Sequence, residues 1–214
     1  MVTGSRTHDD SRPTATELGV GARLSLYPMT DDFVAVILGA LAGVDETGLQ
    51  VVTDDVSTYI GASTTPDTVT EMGRYITAVV KGAAETTSTG HVVAILLLSR
   101  GCPGEVSCES DGVPLPPPDS GPMGLQPAGV VAAAHWSVYP LDSSDHMGAI
   151  DQAVLQAQRQ GTFTRGEHYV TRLDGDLSEV ITTIITGWLG AGPGHVTSHA
   201  TISVGSPTDT GESV

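Results

Sequence analysis

Aromatic side chains make up only 4% of this 214-residue chain, and nine lysines and arginines stand against 25 aspartates and glutamates. The first scarcity means that a core must be aliphatic, with the abundant Gly, Ala, Val and Thr packing closely. The second leaves a formal charge of −16, which excludes nucleic acid and anionic membrane surfaces as partners, because both would be repelled. A cationic small ligand stays admissible, although most of the acids serve only solubility. The longest apolar run, Val92–Leu98, has seven residues, far short of the ~20 that span a bilayer. Met1–Leu18 is polar and lacks the apolar centre of a secretory signal. The two cysteines, Cys102 and Cys108, could pair. Without a signal they read better as thiols of a cytoplasmic protein, and without CxxC spacing they make no metal site.

What the chain does contain is a duplication. Ser25-Leu-Tyr-Pro-Met29 returns as Ser137-Val-Tyr-Pro-Leu141, and Ser99-Arg-Gly-Cys-Pro103 returns as Ser203-Val-Gly-Ser-Pro207. A His-Val pair (His91-Val92, His195-Val196) leads into each ending at the same spacing. Shared phrases at both ends, in the same order, mark one structural unit used in tandem. Residues 1–21 are expected to be a disordered leader, 22–104 the first repeat, 105–129 a proline-rich linker, 130–207 the second repeat and 208–214 a flexible tail.

Each repeat reads strand, helix, two strands, helix, strand. In the first, Arg23–Tyr27 is a strand stopped by Pro28, and Thr30-Asp31-Asp32 supplies a helix N-cap and first-turn acids. Phe33, Val36, Ile37, Ala40 and Leu41 follow at helical spacing, then a hairpin turns at Thr53-Asp54-Asp55. Thr64–Asp67 opens a second helix and Val92–Ser99 closes the repeat; the second copy follows suit, with Asp174-Gly-Asp176 as the turn and N-cap before its last helix. The fold class is therefore α+β, a tandem pair of ferredoxin-like βαββαβ repeats with antiparallel sheets and both helices of each on one face. Val92–Leu98 is apolar on both faces, so the sheet face opposite the helices should be covered. Sheet-on-sheet packing, by the other repeat or by a second subunit, and a homodimer are expected.

Arg23-Leu-Ser-Leu-Tyr-Pro-Met-Thr-Asp-Asp-Phe33 and Gly101-Cys-Pro-Gly104, with Met147-Gly148, Gln160–Phe163, His168-Tyr169 and Leu173–Asp176 in the second copy, resemble the YkoF family of thiamin- and hydroxymethylpyrimidine-binding proteins. The likeness covers all but leader, linker and tail. It implies tandem ferredoxin-like repeats, a homodimer, a possible ligand site in each repeat, a role in uptake or salvage, no catalysis and no cofactor beyond the ligand.

A thiamin pyrimidine is flat, carries an exocyclic amine and ring nitrogens, and hangs from a cationic thiazolium. It calls for apolar walls and a few hydroxyl or carboxylate partners. In the first repeat Tyr27 and Met29 could wall it, with Ser25 on the strand face of Tyr27. Tyr27 could equally pack beneath the helix. Of Ser57 and Thr58, alternation puts one on the ligand's face, and the resemblance favours Thr58. The second-repeat counterparts are Ser137, Tyr139, Leu141 and Thr171, with Arg172 taken to match Thr58. A cation there should disfavour thiamin unless Glu167 or Asp174 pairs with it. An ACT-type sensor of small molecules and a thiamin-salvage enzyme are the alternatives, the latter needing an activated nucleophile or an acid–base pair.

Overall fold

The computed structural model describes Ala15 and residues 18–62, 68–102 and 123–208. Most of the expected leader, the helix opening at Thr64–Asp67, the linker up to residue 122, Cys108 and the last residues of the tail lie outside them. The first half runs β1 (Gly21–Pro28), α1 (Phe33–Leu41), β2 (Leu49–Thr53), β3 (Thr58–Ala62), α2 (Thr68–Thr86), β4 (Val92–Arg100). The second runs β5 (Val131–Pro140), α3 (His146–Gln160), β6 (Phe163–Glu167), β7 (Val170–Asp176), α4 (Leu177–Gly190), β8 (Val196–Val204).

All eight strands form one antiparallel sheet in the order β2-β3-β1-β4-β8-β5-β7-β6. The helices pack as neighbours in the order α1, α2, α4, α3. This corrects the expectation that one repeat lies face to face on the other: the halves meet edge to edge. β4 and β8 are the outer strands of their own halves, and each would otherwise expose a row of unpaired backbone groups. They pair along nine residues, from Val92 opposite Val204 to Arg100 opposite Val196. Tyr27 lies opposite Val93 as Tyr139 lies opposite Thr197, so Leu96 and Ala200 hold the same place in the two halves. These two face each other at the centre of the seam, which gives the sheet an approximate twofold axis there.

Alternation now explains β4. Val92, Ala94, Leu96 and Leu98 are fully buried beneath the helices, while Val93 and Ile95 are half-buried and Leu97 is exposed on the open face. The core is not wholly aliphatic as the scarcity of aromatics predicts: Trp136 and Trp188 are buried among the aliphatic residues of the second half, their indole N–H groups donating to Ser198 Oγ (2.8 Å) and the Val196 carbonyl (2.9 Å).

The doubled Ser-x-Gly-x-Pro phrase closes the seam. Gly101 (φ 69°) and Gly205 (φ 64°) both take the left-handed backbone that favours glycine. A Cβ on Gly101 would lie 2.6 Å from the Gly194 carbonyl oxygen, and one on Gly205 would strike the Gly90 carbonyl. Gly90 and Gly194 are themselves equivalent, so the same backbone contact is made at each end, every time from one half to the other.

Helix starts differ from expectation once. Thr30 does not cap α1; the helix begins after Asp32, which makes no side-chain cap bond, and Thr30 Oγ1 accepts from the Asp32 amide at 3.4 Å. Asp176 caps α4 as expected, in a capping box with Glu179, whereas Asp174 belongs to β7 and not to a turn. Burial opposes the ionisation of Asp176, but the Ser178 hydroxyl and the amides of Ala128, Ser178 and Gly129 outweigh it and bring its pKa down to about 2. Asp176→Ala should lower stability at neutral pH by about 1–2 kcal/mol. Because the folded pKa is depressed, this stabilisation is full above the ordinary value of 3.8 and fades as the pH falls through about 2. Urea titrations of the two proteins should therefore converge in strong acid; a constant difference down to pH 2 would refute the assignment.

Candidate functional site

Sheet alternation sorts the candidate residues by face. On β1, Leu24 points under the helices while Arg23, Ser25 and Tyr27 point to the open face. Ser25 Oγ donates to the Val56 carbonyl at 3.2 Å, and its counterpart Ser137 Oγ donates to the Tyr169 carbonyl at the same distance. Each thus ties the end of its strand to the neighbouring hairpin turn. Tyr27 and Tyr139 are each 49% exposed, so neither is the core residue it could have been. Met29 and Leu141 follow as exposed side chains whose amides bond the His91 and His195 carbonyls, each at 2.9 Å.

Thr58 faces the other way. It lies opposite Leu24 on the helix side of β3, buried, with its hydroxyl 3.0 Å from that of Thr53. Thr171 lies opposite Trp136, and Arg172 opposite His135. Since Trp136 is the counterpart of Leu24, the structural match of Thr58 is Thr171, and Arg172 matches Tyr59 on the open face. The matching of Arg172 to Thr58 is corrected by one residue, and one residue along a strand reverses the face. The condition set for Arg172 is met: its Nε donates to both Asp174 oxygens at 3.0 Å and its Nη2 to one of them at 2.7 Å. The hydrogen bond with Asp174 raises the pKa of Arg172 against the effect of burial, and the pair presents no net charge.

Three of the first-repeat candidates share a cavity. Ser25, Ser57 and Thr58 line a space of about 110 Å³ between β1, α1 and the β2–β3 turn, walled by Leu24, Leu26, Ile37 and Leu41 and rimmed by Thr53, Asp54, Asp55 and Val56. Tyr27 and Met29 do not line it. The Asp54 carboxylate accepts from the amides of Ser57 (2.9 Å) and Val56 (2.8 Å) and from Arg23 (3.0 Å). These bonds, the Ser57 amide foremost, hold its pKa below the usual carboxylate range. Arg23 also donates to Ser57 Oγ at 3.1 Å and lies over the Tyr59 ring. The cavity therefore offers aliphatic walls, the hydroxyls of Thr53 and Thr58, and a fixed carboxylate at its mouth.

A sequence profile of the YKOF-related family matches residues 19–105 and 131–209. The chain belongs to this family. It is also 35% identical over 193 residues to the "Putative HMP/thiamine-binding protein YkoF" of Bacillus subtilis, a match covering 88% of this chain and 91% of that one. Both profile segments include the Ser-x-Tyr-Pro strand and the hairpin beside it, so the family's pattern takes in the cavity walls in the first half and their counterparts in the second.

Asp54, Asp55, Ile37 and Leu41 were not singled out from sequence as site residues. Thr53-Asp54-Asp55 is legible as a hairpin turn, but nothing local reports that α1 descends onto that turn. Among the described residues no group of three or more His, Cys, Asp or Glu side chains could hold a metal, and no helix is long and apolar enough to cross a membrane. Among the described residues Cys102 has no disulfide partner.

Proposed function

We propose that the chain binds thiamin or its hydroxymethylpyrimidine moiety without transforming it, in uptake or salvage of the vitamin, and that the first half holds the better site. The observation carrying this reading is the Ser25–Ser57–Thr58 cavity. At about 110 Å³ it is far smaller than the roughly 300–1,000 Å³ of a drug-sized ligand pocket, so at most a single flat ring would enter it. The Thr58 hydroxyl would meet a ring nitrogen, Asp54 or Asp55 would accept from the exocyclic amine, and the thiazolium would remain outside among acids. The name given to the Bacillus subtilis relative supports a binding role.

Each half is read as a ferredoxin-like unit, a reading supported by the β-α-β-β-α-β order and by the strand orders β2-β3-β1-β4 and β6-β7-β5-β8. The open face, with Val93 and Ile95 half-buried and Leu97 exposed, is the surface on which a second copy would pack to make a homodimer in the cytoplasm.

Calorimetric titration with thiamin, hydroxymethylpyrimidine, thiamin phosphates and amino acids tests the proposal. Binding of the first two is expected, with Thr58→Val weakening it about five- to tenfold, as the loss of one buried hydrogen bond to ligand predicts. Chromatography of the ligand after prolonged incubation should return it unchanged. Response to amino acids alone would favour a sensor of ACT type, and conversion of the ligand would make the protein an enzyme.

A further inference from the structure

Helix α1 contains no charged or polar side chain in its nine residues, Phe33–Leu41. A helix apolar all round belongs in a core, yet only Val36 and Ala40 are buried, while Phe33, Val34 and Leu38 are 52%, 54% and 61% exposed. Val34 and Leu38 lie one turn apart, flanked on the exposed side by the small residues Ala35 and Gly39. This makes a ridge beside a shallow groove, the relief on which another helix packs. The duplication supplies an internal control. The equivalent helix α3 interrupts its exposed apolar residues, Met147 and Leu155, with Asp151, Gln152, Gln158 and Arg159, so an outer face free of polar groups is not a requirement of the fold.

The charge around this face selects what can cover it. Exposed acids stand at both ends of α1: Asp31 and Asp32 before it, and after it Glu46 and Asp45, the latter paired with Arg74 at 3.5 Å. A second copy would bring the same acids against them. The proline-rich segment 103–122 carries Glu105, Glu109, Asp111 and Asp119 and no lysine or arginine, so it too is mismatched. An anionic lipid surface is repelled. We infer that the outer face of α1 is a docking surface for an amphipathic helix of a partner protein, whose apolar stripe is flanked by lysines or arginines. The inference goes beyond ligand binding and does not rest on it. The inner residues Ile37 and Leu41 of the same helix do line the cavity, so a docked partner would lie one helix thickness from the ligand site.

Two synthetic helical peptides with the same Leu/Ala stripe, one flanked by Lys and Arg and the other by Glu, test this by fluorescence anisotropy against the full chain. The basic peptide is expected to bind at least tenfold more tightly than the acidic one, and to lose affinity as salt rises. Leu38→Glu, at an exposed position outside the cavity, should weaken it at least tenfold while leaving thermal unfolding and thiamin titration unchanged. Equal affinity for both peptides, no binding of the basic one, or indifference to Leu38→Glu would overturn the inference. Self-association abolished by Leu38→Glu would instead name a second copy as the occupant. Binding that appears only after deletion of residues 103–122 would name that segment; either result refutes a basic partner.

Discussion

Gly205→Ala is expected to destabilise the protein by about 3–5 kcal/mol, and Gly101→Ala by a similar amount. A left-handed backbone alone costs a residue with a Cβ about 1–2 kcal/mol. The remainder comes from the carbonyls of Gly90 and Gly194, which stand where the new methyl groups would go and belong to backbone that cannot rotate aside. Both contacts cross from one half to the other, so relief requires opening an end of the β4–β8 seam. Urea unfolding reads the effect, and hydrogen exchange should locate it at the end of the seam that carries the substitution. A loss below about 1 kcal/mol for both variants would mean that the close approach is not a constraint. The two sites lie at opposite ends of nine-residue strands, so the double variant should lose the sum of the single losses.

Arg100→Met is the second large effect, with an expected loss of about 3 kcal/mol. Arg100 is 1% exposed and ends β4, in the first half, yet it donates to the carbonyls of Gly194 (2.8 Å), Leu189 (3.1 Å) and Gly192, all in the second half. These carbonyls lie at and just beyond the C-terminal end of α4, where the helix dipole favours a cation. Burial pushes the guanidinium pKa down to about 10, so it is still charged at neutral pH. Methionine fills much of the volume but leaves three carbonyls without this donor. Lysine keeps the charge but cannot fork between them, and Arg100→Lys should fall between wild type and Arg100→Met in thermal unfolding. A methionine variant as stable as wild type would show that the cation is dispensable there. The equivalent position in the second half is Val204, so no matching loss is expected from Val204→Met beyond ordinary repacking.

The elements were legible because each is locally determined: Asp176 caps α4, Pro28 ends β1, and the apolar run Val92–Leu98 forms a strand. That its edge pairs with β8 while Leu97 stays exposed on the open face was not legible. An apolar strand at the edge of a four-stranded unit can pair sideways or stack, and the choice depends on backbone groups that composition does not report. The site was half-legible for a related reason. Ser25 and Thr58, expected to meet ligand, both border the cavity, but matching Thr58 with Arg172 is off by one residue, since the ladders pair Thr58 with Leu24 and Thr171 with Trp136. The β6–β7 hairpin carries an irregularity between Phe163 and Arg165, and hairpins of unequal build cannot be matched by counting. Only the ladder to β1 and β5 fixes which residue shares a face with Leu24 or Trp136. The comparison that bears on the proposed site is therefore Thr58 with Thr171. Tyr59 with Arg172 is a separate contrast on the open face.

The approximate twofold axis between Leu96 and Ala200 has an evolutionary corollary. An edge-to-edge pair of identical half-length chains would have to carry every substitution on both sides of its axis. Once the two copies are joined in a single polypeptide, that obligation ends and each can drift alone. Arg100 facing the far helix, the uncharged α1 and Thr58 opposite Leu24 stand in one half, against Val204, a charged α3 and Thr171 opposite Trp136 in the other. Gly101 and Gly205 have stayed the same, because a change in either one would part both halves. A single chain thus leaves its two halves free to differ everywhere except at the join that both must share.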